Sequence, residues 1–137
     1  MISLNCAVKF HGHLGPYLVL GLRSGDMALK KTKARKHFGI KVLVRGANKK
    51  PKSCLVDGLQ LSTGATYGKG NIKKLEGRSI KILVHNLDNN KEIEISLKQS
   101  LQNDLDALKS HKDSEIFARK LLKTNYSDLF NLRMTKE

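Results

Sequence analysis

Apolar residues after Pro16 recur at helical spacing. Leu18, Leu22 and Leu29 share one face, and Gly21, Gly25 and Ala28 add a flat stripe beside them. A glycine inside a helix costs about 1 kcal/mol relative to alanine, so the stripe predicts the close approach of another backbone. Gly15-Pro16 supplies a start signal, since proline at the first helical position gives up an N–H that has no helical partner. The basic run Lys30 to Lys36 suits the negative pole of a helix, and Gly39 suits its C-terminal cap. A helix is therefore predicted from Pro16 to about His37.

The pattern then changes period. Ile40 to Arg45 alternates apolar and polar as a strand, and Gly46 to Ser53 is a lysine-rich loop broken by Pro51. Leu55, Val56, Leu59 and Leu61 predict a short helix over Cys54 to Ser62, with Cys54 and Asp57 three residues apart on one face. A glycine-rich loop follows. Ser79 to His85 and Lys91 to Leu97 alternate around the turn formers Asn86 to Asn90, which predicts a hairpin. Leu97, Leu101, Leu105 and Leu108 mark an amphipathic helix, followed by a helix from Ser114 to Lys123 and a short segment from Ser127 to Arg133. There is no internal repeat and no dividing linker. The expected architecture is one α+β domain over residues 1–137, a small, mainly antiparallel sheet packed by a long N-terminal helix and C-terminal helices.

At 137 residues, 39% hydrophobic and 28% charged, the composition is that of a globular chain. No apolar run approaches the roughly 18 residues of a spanning helix, so no membrane partner is expected. Met1 to Phe10 lacks a basic start followed by an apolar core, so a cytoplasmic location is the expectation. In a reducing compartment Cys6 and Cys54 are expected as free thiols or metal ligands. The net charge of +14 is unevenly placed: Arg23 to Lys52 holds eleven Lys or Arg against one acid, Asp26. A positive face of this kind serves nucleic acid, an anionic small molecule or an acidic protein, or is merely a solvated surface. Only Phe38 is interleaved with these charges, which is sparse for a base-stacking surface.

Candidate chemistry is concentrated in two segments. In Phe10-His11-Gly12-His13-Leu14-Gly15-Pro16, two imidazoles stand one residue apart, and on extended backbone they would face the same way. Cys54 would add a soft thiolate, leaving a fourth tetrahedral position open as catalytic zinc requires. Asp57 can orient a histidine from behind. The same histidines equally suit hydrogen bonding at a helix start or acid-base catalysis, and a lone cysteine suits a small buried hydrophobe. The run Gly64 to Gly70 is one residue short of a phosphate loop, with glycine where a hydroxyl should bind magnesium. Its amides can still form an anion nest with Lys69, or simply serve a tight turn. His37, His85 and His111 are assigned no role.

In order and wording the two segments resemble the FmdE-like family, named for a component of formylmethanofuran dehydrogenase, whose pattern is F-H-G-H-x-C/G-P followed by C-x-x-D-x-x-Q-x-x-T-G-C-T-x-G-K-G-N. The matching residues are Phe10, His11, Gly12, His13 and Pro16, then Cys54, Asp57, Gln60, Thr63, Gly64, Thr66, Gly68, Lys69, Gly70 and Asn71. The ending Asp128-Leu129-Phe130 with Arg133 is similar too. Gly15 and Ala65 stand where many members have cysteine, which removes two thiols, and the zinc-finger cysteines of some members are absent. The resemblance implies an α+β fold that pairs into homodimers and a transition-metal site, with zinc favoured by mixed imidazole and thiolate donors.

Three functional readings follow. In the first, His13 and Cys54 hold the ion, His11 is a third ligand or an acid-base group, Asp57 supports it, and Lys69 and Asn71 contact an anionic or polar substrate. Such a domain would be enzymatic, or an accessory subunit linked to one-carbon or formylmethanofuran metabolism. In the second, a non-catalytic module binds nucleic acid through the strip Lys30 to Lys52. In the third, the chain docks on an acidic enzyme partner.

Overall fold

The structure, a computed structural model, describes residues 2–136. A helix outside the predicted elements comes first: α1, Leu4–His11, started by Ser3, whose hydroxyl accepts the Cys6 N–H at 3.2 Å. Gly12, at φ 109°, ends it in a left-handed turn that disfavours a side chain. The long helix α2 spans Pro16–Thr32, with Gly15 and Pro16 at its start as expected. It stops short of His37 because Lys33 takes a left-handed conformation and donates its N–H to Leu29 O, so Gly39 is not the cap.

Strand β1, Ile40–Arg45, has the predicted bounds, and α3, Cys54–Thr63, extends one residue beyond them. Strand β2, Ile72–Leu75, falls where no element is predicted; four residues with two adjacent lysines carry no alternation to read. The hairpin is β3, Lys81–Asn86, and β4, Glu92–Leu97, paired antiparallel as predicted. Helices α4, Gln99–Asp106, and α5, His111–Lys123, follow. The terminal segment divides into a single helical turn, α6, Tyr126–Leu129, and a strand, β5, Phe130–Lys136.

The five strands lie in the order β2-β1-β3-β4-β5, antiparallel except for β1 with β2, so the fold is α+β with a mainly antiparallel sheet. One face is buried: Ile40, Val42 and Val44 of β1 meet Ile82 and Val84 of β3 and Ile93 and Ile95 of β4. The other face carries Lys41, Leu43, His85, Glu92 and Glu94, of which Glu92 pairs with His85 and Glu94 with Arg133.

Helix α2 is buried along most of its length and packs mainly on α3, which is why its sequence is apolar on more than one side. The expected glycine stripe faces α3. A methyl group on Gly21 would lie 2.8 Å from Gly58 Cα and 2.9 Å from Leu59 N, and Gly25 faces Ser62 and Thr63. The stripe is thus occupied within the chain and is not offered to a second copy. A satellite cluster of Ala7, Leu18 and Leu22, joined by Leu4, Val8 and Leu61, fastens α1 to α2 and α3.

Candidate functional site

The inward face of α1 carries Leu4, Ala7, Val8 and, one turn after Ala7, His11. That register drives the His11 ring against the first turn of α3, where Asp57 stands. His11 Nδ1 lies 2.6 Å from Asp57 Oδ2, with the two side chains 8% and 36% exposed. A neutral imidazole donating Nδ1–H to this carboxylate presents a bare lone pair at Nε2. Nε2 is buried and has no hydrogen-bond partner among the described residues. An orphaned acceptor in such a place costs on the order of 1–3 kcal/mol, which a ligand would recover.

Extended backbone does not relate His13 to His11, contrary to the expectation from their spacing. The helix end and the Gly12 reversal intervene, yet the rings still come together, with centroids 4.7 Å apart and planes 38° apart. Burial first, then the neighbouring His11 and His111, hold the His13 pKa below the ordinary histidine value, which favours the neutral, metal-competent imidazole. Gly15 gives this ring its room, because a Cβ there would lie 3.1 Å from His13 Nε2.

Cys54 opens α3, one turn before Asp57 on the same face, half-buried against the main core. Burial first, then the Asp57 charge, pushes its thiol pKa up. Among the described residues, no three His, Cys, Asp or Glu side chains are gathered closely enough to hold a metal ion. The structure thus brings together His11, His13 and Asp57, with Cys54 one turn before Asp57 on α3 and close enough to feel its charge.

The second motif proves to be mostly bracing. Gly64 caps α3 at φ 76°, and Thr63 Oγ1 accepts the Ala65 N–H at 3.1 Å. Gln60 Oε1 accepts the Tyr67 N–H at 3.0 Å. Asn71, expected to meet a ligand, spends its amide on backbone: Oδ1 accepts the Thr66 N–H, while Nδ2 donates to His37 O at 2.6 Å and to Ile40 O at 3.2 Å. Lys69 is exposed, its ammonium 3.4 Å from Thr66 Oγ1 and 5.6 Å from the Phe38 ring centre. A spacing pattern cannot tell such a brace from a ligand contact. The outward-turned Lys69 keeps donors free.

The basic strip is divided among several surfaces. Arg23 lies over the Tyr126 ring and donates to the carbonyls of Leu121 and Thr124, and Arg35 pairs with Asp88 at 2.7 Å. Lys41 and Arg45 belong to the open face of the sheet. Part of the excess charge is therefore structural.

A single α+β domain with a histidine–carboxylate pair at the meeting of α1 and α3 is the class of protein that emerges. The family model described as "FmdE, Molybdenum formylmethanofuran dehydrogenase operon" matches residues 10–133, and the chain belongs to the FmdE family. A protein of Archaeoglobus fulgidus described as a probable S-adenosyl-L-methionine-binding protein is 32% identical over 87 residues, which are 60% of this chain and 23% of the relative. The match thus spans about a quarter of that protein. A solved structure of a tungsten formylmethanofuran dehydrogenase FmdE-like protein from Syntrophus aciditrophicus superposes with a TM-score of 0.72 and 20% identity, covering 98% of this chain and 70% of its own. That likeness is one of fold.

Proposed function

We propose that this protein is a transition-metal-binding domain in which His11 and His13 supply imidazole donors and Asp57 fixes the His11 ring, while Cys54, which among the described residues does not share a ready-made metal group with them, would move in to supply the third ligand on binding. The observation that carries the reading is the buried, unpartnered His11 Nε2 on a ring whose other nitrogen is held by a carboxylate, the usual outer support of a metal-bound histidine. Mixed imidazole and thiolate donors favour zinc. When bound, the ion supplies Lewis-acid polarisation. The chain's own contribution is to fix the His11 ring through Asp57, to shield Nε2 from water, and to position His13 beside it. Membership of the FmdE family supports a role beside a formylmethanofuran dehydrogenase, as an accessory subunit or an enzymatic domain of one-carbon metabolism.

Elemental analysis of untagged protein purified without chelator tests this. Near-stoichiometric zinc is expected in the wild type and its loss in His11→Ala and Cys54→Ala, with the circular dichroism of both variants unchanged. Retention of metal in both, or a wild type that takes up none on reconstitution, overturns the proposal. Loss in His11→Ala alone would restrict the ligand set to the histidines.

A further inference from the structure

One side of His13 opens on a cleft of about 560 Å³ between α1 and α5. The two helices contribute matched stripes at four-residue spacing. Asn5 and Lys9, with Leu4 and Val8, come from α1, while His111, Glu115 and Arg119 come from α5. The lining therefore divides by chemistry. Leu4, Val8 and Leu14 form an apolar side, while Lys9, Arg119 and two imidazoles stand against the carboxylate of Glu115.

That carboxylate does not neutralise the site. Arg119 reaches Glu115 Oε1 through one nitrogen at 3.3 Å, with both side chains more than half exposed. Exposed pairs of this kind contribute little, and most of the guanidinium's five donors stay free. The volume lies in the range of small-molecule sites and is far larger than a bare ion needs. Among the described residues no Phe, Tyr or Trp lines the cleft, so an aromatic base finds no stacking partner there.

We infer that this cleft binds a small organic anion, an oxyacid head on a short aliphatic body, with Arg119 and Lys9 holding the head, Leu4, Val8 and Leu14 receiving the body, and His13 and His111 facing the ligand. The inference deepens the metal reading by naming the substrate class of the same site, and it rests on that reading only for what happens at the His13 end. Carboxylate and phosphate monoester heads share the chemistry and are separated by experiment.

The test follows the His13 and His111 imidazole resonances by NMR while the full chain, metal-free and zinc-loaded, is titrated at constant ionic strength. The probes are hexanoate, butyl phosphate and, as cationic control, hexylamine. Saturable shifts of both histidines with at least one anion are expected, and none with the amine. Affinity should fall about tenfold or more in the Lys9→Gln/Arg119→Gln double variant, the scale of a lost charge-assisted contact. Lys73→Gln on β2 should leave it unchanged. Tighter binding of butyl phosphate assigns the phosphate monoester, and tighter binding of hexanoate the carboxylate. Absence of saturation with both anions, equal response to the amine, or equal weakening in the double variant and Lys73→Gln overturns the inference. Anion binding that persists in a protein without zinc affinity leaves the cleft standing and removes the metal; zinc binding without anion binding does the reverse.

Discussion

Asp57 and His11, 46 residues apart in sequence, are joined by a 2.6 Å contact between a carboxylate oxygen and Nδ1. The carboxylate selects the tautomer that leaves Nε2 available. In Asp57→Asn the charge is lost while the shape is kept. Zinc affinity should drop by about 10–100-fold, the range for outer supports of metal ligands. Competition against a chromophoric chelator measures it, and unchanged affinity would remove Asp57 from the site.

A Cβ at Gly15 would lie 3.1 Å from His13 Nε2. A shift of a few tenths of an ångström by the His13 ring would admit a side chain. Gly15→Cys should therefore bind zinc more tightly than the wild type, with sulfur-to-metal charge transfer visible once zinc is replaced by cobalt. A variant that binds no better, with no such band, would place residue 15 outside the coordination sphere.

The α2–α3 crossing leaves no space for even a methyl group. Gly58→Ala would bring a Cβ to 2.8 Å from Gly21 Cα and from Leu22 N. The helices must separate, at a cost of about 1–3 kcal/mol or more. Urea denaturation of the metal-free protein reads this directly, and an unchanged midpoint would contradict the packing described.

Loop bracing and ligand contact make different demands. Asn71→Ala strips three backbone groups of their partner and should destabilise the fold by about 1–3 kcal/mol. Lys69→Ala, at an exposed position, should stay within about 0.5 kcal/mol. Equal losses in the two variants would mean that Lys69 also holds the loop.

Acid sensitivity should appear at the sheet edge. Hydrogen bonding from Thr135 at 2.6 Å, more than any other influence, holds the Glu92 carboxyl below the usual glutamate range. A depressed folded-state pKa stabilises above the unfolded value, and the benefit disappears as pH falls through the folded one. Thr135→Val should thus cost about 1 kcal/mol near neutrality, and the difference should disappear as pH falls through the depressed folded-state value, below the usual glutamate range. A gap between variant and wild type that persists in acid would assign the loss to packing instead.

Most elements can be read from periodicity because their faces are chemically clean. Ile40 to Arg45 alternates with the single exception of Leu43 and forms β1 at its predicted bounds. The glycine stripe of α2 announces a close approach but not its partner; only the fold reveals α3, since a stripe carries no address. Helix α1 is hidden because its fourth inward position is His11, a polar residue whose burial makes sense only beside Asp57. Strand β2 draws its regularity from pairing with β1 rather than from its own side chains. At the site, pairing of the two segments is legible from their chemistry, and so are the candidates His11, His13 and Asp57. The diversion of Asn71 into backbone bonds is not, because an amide that latches a turn and one that grips a ligand have the same spelling.

The small cluster that fastens α1 has a thermodynamic consequence. Ala7, Leu18 and Leu22, with a few flanking apolar groups, lie apart from the main core, so α1 can open on its own at lower free energy than the whole domain. His11 travels with that helix. Any ligand gripping Nε2 binds only the docked state, and by mass action its concentration sets how often the N-terminal segment opens. Occupancy of the site would then be recorded in the hydrogen-exchange rates of α1 amides, several of which never touch the ligand. The N-terminal helix is in this sense the gauge of the site it completes.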